Sequence, residues 1–113
     1  MTSEQSWWGI GAAPGHAVGA AFVLRYEDMR DVPAGCILVA RILHPHLAPL
    51  FMRISGVVVE EGALLQHATT LAREFGIPAV VGLQGATNIF RNGEWLELHG
   101  DTGQVTRREL DDP

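Results

Sequence analysis

A chain of 113 residues, 47% apolar and 19% charged with a net charge of −5, has the size and make-up of one ordinary globular domain, expected over 1–113 with its core at about 8–106. Its basic residues are all arginines, and the one basic pair, Arg107-Arg108, stands beside Glu109, Asp111 and Asp112. Nucleic acid and anionic membrane are thereby excluded as main partners. The single Cys36 excludes an intrachain disulfide and a cysteine zinc site.

In chain order, Met1–Ser6 and Glu109–Pro113 read as frayed ends. Met1–Ser6 has no basic region before an apolar core, so no signal peptide is expected. No apolar run nears the roughly 20 residues that span a bilayer, and the cytoplasm is the expected location. Trp7–Gly11 is a short apolar segment, with one tryptophan expected in the core and the other partly exposed. Pro14-Gly15 marks a turn, and Val18–Leu24 reads as a strand. Tyr26–Val32 is charged and reads as a connection with a helical turn. Cys36 reads as a small buried residue leading into Ile37–Ala40, a strand buried on both faces. Pro45 and Pro49 forbid one long helix and predict a loop followed by a short helix from about Pro49. Gly56–Glu60 is β-branched and strand-like.

Leu64, Ala68, Leu71, Ala72 and Phe75 recur at helical spacing on one face. Gly76 and Pro78 end that helix, and Ala79–Gly82 is another short strand. Asn92-Gly93 predicts a hairpin between Ile89-Phe90 and Trp95–Leu98. In the latter, Trp95 and Glu97 alternate with Leu96 and Leu98. Asp101-Thr102-Gly103 is a second tight turn before Gln104–Thr106. The elements describe a mixed α/β domain with many short strands and two or three short helices.

The candidate chemistry centres on His67, which follows the glycine-led turn at Gly62 and Ala63 and opens the helix. A helix start offers free backbone N–H groups and a partial positive charge, which suit an anion. A neutral imidazole is abundant at pH 7 and is an accepted nucleophile. Gln66, Ala68 and Thr69 stand where they would support a phosphate. Arg73, six residues on, is turned well away from His67, and a structural ion pair or a partner contact is its expected role. Glu74 reads as part of a solvated face. His44-Pro45-His46, with His16 or His99 as a third ligand, forms a rival metal hypothesis. No Asp, Glu or Cys set at recognised ligand spacing supports it, and no metal is expected. With no lysine, no glycine-rich phosphate loop and no acidic cluster for Mg²⁺–ATP, no nucleotide site and no cofactor are expected on this chain.

The run from Gly62 to Gly82 resembles the phosphohistidine, or swivelling, mobile domain of phosphoenolpyruvate-utilising enzymes such as phosphoenolpyruvate synthase, pyruvate phosphate dikinase and rifampicin phosphotransferase. Leu64-Leu65, His67, Ala72-Arg73-Glu74 and Gly76 through Gly82 match its motif in order and spacing. The likeness extends to Gly9–Gly19, Gly35–Ala40, Pro45, Pro49, Leu50 and Phe51. It continues through Ala86-Thr87, Asn92-Gly93 and Gly100–Gly103, so it covers about residues 8–106. It implies a swivelling β/β/α fold with the histidine at a helix N-terminus. By resemblance His67 is the phosphoryl acceptor, and the chain is one component of a phosphotransferase that needs other domains or chains. An ATP-binding partner of the ATP-grasp type, a phosphoenolpyruvate- or pyruvate-binding partner, or both would supply donor and acceptor sites. ATP or phosphoenolpyruvate and Mg²⁺ are expected there. Two positions depart from the motif: Gln66 stands where Ser or Thr usually precedes the histidine, and Ala63 replaces the second glycine. A non-catalytic interaction or regulatory module of the same descent is the alternative.

Overall fold

The computed structural model describes residues 3–25, 31–62 and 66–109. Eight strands are present: β1 (Ser3–Trp8), β2 (Ile10–Ala13), β3 (His16–Leu24), β4 (Ile37–Ala40), β5 (Gly56–Val59), β6 (Ala79–Val81), β7 (Trp95–His99) and β8 (Gln104–Glu109). With them are helices α1 (Gln66–Phe75) and α2 (Ala86–Ile89) and a 3₁₀ segment, Pro45–Met52. The strands are ordered β1-β8-β7-β3-β4-β5-β6-β2.

Strand β3 belongs to two sheets. Its first half, His16–Ala20, runs antiparallel to β7, and its second half, Ala21–Leu24, runs parallel to β4. β4, β5 and β6 then follow in parallel. These three strands are short apolar runs because both their faces are covered. Alternate residues face opposite ways. Leu38, Ala40, Val57 and Val59 enter a core under the 3₁₀ segment and α1, with Leu47, Leu50, Phe51 and Ala72. Ile37, Val39, Val58 and Val80 enter a second core against Phe90, Leu96, Leu98 and Val105. The result is three layers: an antiparallel sheet, a largely parallel sheet, and helices. It is the α/β architecture expected, and α1 carries His67 in its first described turn.

Several boundaries differ from the sequence reading. Ser3–Ser6 is no frayed end but part of β1, paired with β8 from Ser3↔Glu109 to Trp8↔Gln104. The polar segment is held because its partner strand is polar on the same side. Ser6 Oγ meets Thr106 Oγ1 at 2.9 Å, and Arg108 pairs with Glu4. The helical segment near Pro49 starts earlier, at Pro45. Proline suits its first position, and the tighter 3₁₀ winding carries Pro49 within it. Asn92-Gly93 does form a turn, with Gly93 at φ +92°, but joins no pair of strands. Ile89 and Phe90 close α2, and Phe90 is fully buried in the second core. The turn itself is tied to β3, with Gly93 N donating to Ala21 O at 2.9 Å and Asn92 Oδ1 accepting from Val23 N at 2.6 Å. The expected alternation in β7 is present, with Leu96 and Leu98 buried. Of the Tyr26–Val32 connection, residues 26–30 lie outside the described residues.

Candidate functional site

The loop that leads to His67 leaves the carboxyl end of β5, among the ends of the parallel strands. Such ends are where open α/β sheets place ligands. Backbone bonds hold its first residues. Glu60 N donates to Ala40 O at 3.0 Å, Glu61 N to Arg41 O at 3.1 Å, and Gly82 N returns to Glu61 O at 3.2 Å. Glu60 also reaches across to α2, where its Oε2 accepts from Thr87 N at 2.8 Å and Thr87 Oγ1 at 2.5 Å. This carboxylate satisfies first-turn donors of a helix whose own cap, Gly85, has no side chain. Glu60 was not singled out from sequence, because its partner lies 27 residues away.

Gly62 was expected to permit a sharp turn. It has no positive φ; its role is close approach instead. A Cβ there would lie 3.1 Å from Gly82 Cα. Glu60, Glu61, Gly62, Gly82, Gln84 and Gly85 together line a groove of about 420 Å³. Gln66, His67, Ala68 and Thr69 form the first described turn of α1, and Thr69 is partly buried. Ala63, Leu64 and Leu65 lie outside the described residues, as do the side chains of Gln66, His67 and Ala68.

The far end of α1 is fixed independently of its start. Gly76, at φ +68°, donates to Arg73 O at 3.2 Å, and Ile77 N donates to Ala72 O at 2.8 Å. These are the paired bonds of a Schellman cap, as Gly76 predicted. Arg73 Nε donates to Ala12 O at 3.1 Å and so straps α1 to β2. Among the described residues this backbone contact, not an ion pair, is what holds Arg73. Glu74 is exposed, as read. Ala72 is buried, but Phe75, assigned to the same inward face, is 47% exposed and touches the core edge at Phe51, ring centroids 6.4 Å apart.

A second group of side chains gathers on the open face of the antiparallel sheet. His16 and His99 are direct cross-strand partners, and Glu97 lies two residues before His99 on the same face. His16 Nε2 is 2.8 Å from Glu97 Oε2, and Arg108 Nη2 donates to Glu97 Oε1 at 3.1 Å. The hydrogen bond from His16, aided by Arg108, holds the Glu97 carboxyl below its ordinary range against a desolvation that opposes it. The rival metal grouping, which the sequence did not support, joined His16 or His99 to His44 and His46. The structure instead puts His16 beside His99 and stacks His44 on His46, centroids 5.7 Å apart. Cys36 is buried as expected, and burial pushes its thiol up, away from reactivity.

Comparison with known proteins bears on the first site. The family model described as "PEP-utilising enzyme, mobile domain" matches residues 32–103. Chondramide synthase cmdD of Chondromyces crocatus is 44% identical over 106 residues, covering 91% of this chain and 3% of that protein. A rifampicin phosphotransferase of a Streptomyces species is 39% identical over 97 residues, covering 86% of this chain and 11% of that protein. The chain thus spans a small fraction of the curated relatives it matches. Among solved structures, Enzyme I superposes with a TM-score of 0.62 at 27% identity, over 73% of this chain and 34% of that one.

Proposed function

This chain belongs to the mobile-domain family of phosphoenolpyruvate-utilising enzymes, and on that premise we propose that it carries a phosphoryl group on His67. The observation that supports this reading is that the family match, over residues 32–103, runs across His67, which lies in the first described turn of α1. In the reaction a ring nitrogen lone pair of neutral His67 attacks the donor phosphorus. The N–P bond forms as the bond to the leaving oxygen breaks, and that oxygen keeps the electron pair. The second transfer reverses these changes toward an acceptor and restores the imidazole. Backbone N–H groups of the first turn, at Gln66, Ala68 and Thr69, would meet the phosphate oxygens, with Gln66 in the place of the usual hydroxyl residue. A donor of the ATP-grasp or phosphoenolpyruvate-binding type, with its Mg²⁺, would sit on partner domains. The proposed setting is the cytoplasm, where those donors are found.

The test is labelling of the purified chain in extract with labelled ATP and, separately, labelled phosphoenolpyruvate. The expected result is a label stable to base and lost in acid, absent from His67→Ala. No label, in an extract that phosphorylates a control carrier, overturns the reading. Gln66 and Ala63 favour a second reading, a binding module that keeps the fold without the transfer. His67→Ala would then leave partner binding unchanged.

A further inference from the structure

We propose that His16, His99 and Glu97 form a binding site for a zinc-class divalent cation on the open face of the antiparallel sheet. Its residues are on β3 and β7, not on the loop or helix that carries His67, and it does not depend on the carrier reading.

Register brings the three side chains together. Strand pairing sets His16 directly opposite His99. The two rings stack with centroids 4.7 Å apart and planes 30° from each other. Both Nε2 atoms approach one carboxylate, at 2.8 Å to Glu97 Oε2 for His16 and 3.9 Å to Oε1 for His99. One ligand atom from each residue lies within 4.8 Å of the other two. A tetrahedral zinc with bonds of about 2.0–2.1 Å sets its donors about 3.4 Å apart. The observed spacings bracket that value, so small ring rotations would close the set without moving the strands.

The chemistry suits the same ion. Two imidazoles and a carboxylate form a donor set used for zinc and its first-row neighbours, with room for a solvent ligand. The side chains are 51%, 37% and 18% exposed for His16, His99 and Glu97, so the ion has a path in and an outward coordination position. The bound ion would replace the His16–Glu97 hydrogen bond, with the remaining ring proton on Nδ1. Arg108 holds Glu97 Oε1 and is itself 3.1 Å from Glu4. It orients the carboxylate from the side, and Glu4 offsets its charge. An ion here would clip the start of β3 to the end of β7.

Zinc titration of the full, metal-free chain by calorimetry tests the site, with cobalt absorption as a second readout. The expected result is one ion per chain. Removing even an outer partner of a metal ligand costs about 10–100-fold in affinity, so His16→Ala and His99→Ala should each weaken binding by at least about tenfold. Glu97→Gln should weaken it in the same direction. Circular dichroism would check that each variant is folded. His44→Ala/His46→Ala and His67→Ala should bind as the parent does. Absence of one-to-one binding, its survival in both His16→Ala and His99→Ala, or its loss only in the control variants overturns the proposal. The carrier reading stands or falls separately, on the phosphoryl label.

Discussion

Phe90 holds the second core, fully buried and met edge-on by Trp7 at a centroid distance of 5.0 Å and an interplanar angle of 83°. Arg107 lies over that indole, 4.9 Å from its centroid. Phe90→Ala should therefore cost about 3–5 kcal/mol, read as a lower urea midpoint with the slope unchanged. Gly76 and Gly103 both have positive φ, at +68° and +86°. A Cβ at Gly76 meets nothing, whereas one at Gly103 drives into the Gly9 carbonyl oxygen. Gly76→Ala should cost about 1 kcal/mol, as backbone strain alone. Gly103→Ala should cost clearly more, and equal losses in a denaturant series would contradict the assignment. At this scale the sequence disclosed residues whose neighbours are local, such as Gly76 and the unequal burial of Trp7 and Trp8. It did not disclose Glu97 or Glu60. Their partners, His16 and Thr87, are 81 and 27 residues away, and only folding brings them near.

Elements were legible where their signal was self-contained. Ile37–Ala40, Val57–Val59 and Ala79–Val81 are buried strands because an unbroken apolar run needs cover on both faces. The end of α1 was legible because glycine before Ile77-Pro78 has one inexpensive conformation there. Strand β1 was not, since Ser3–Ser6 has no apolar alternation. Its order comes from pairing with β8, a tertiary fact. The Asn92-Gly93 signal was read correctly as a turn and wrongly as a hairpin. The turn geometry is a property of the dipeptide, whereas its flank was decided by Glu60 capping α2 and by the place open for Phe90. Local preference yielded to packing in each case where the two disagreed.

Across the whole molecule, β1 and β2 occupy opposite ends of the strand order although Gly9 alone separates them. The assembly must therefore curl until its edges meet, and Gly9 N donates to Gly103 O at 2.9 Å where they do. A Cβ at Gly9 would lie 2.6 Å from Val81 O, so the seam is as narrow as backbone permits. The outermost pair in that order, β1 with β8, sets Ser3 against Glu109. Both outer strand ends thus emerge on one side. Tension applied between them peels the ladder one rung at a time, like a zip, instead of loading every rung in shear. Handles at Ser3 and Glu109 should open the domain at a lower force than handles at Ser3 and Thr102, which pull the two strands past each other. Single-molecule stretching with both attachments reads the difference, and equal forces would mean that the seam at Gly9, rather than the outer ladder, resists first. A module built this way is stiff to the touch and soft to the tug, yielding from its edge before its centre.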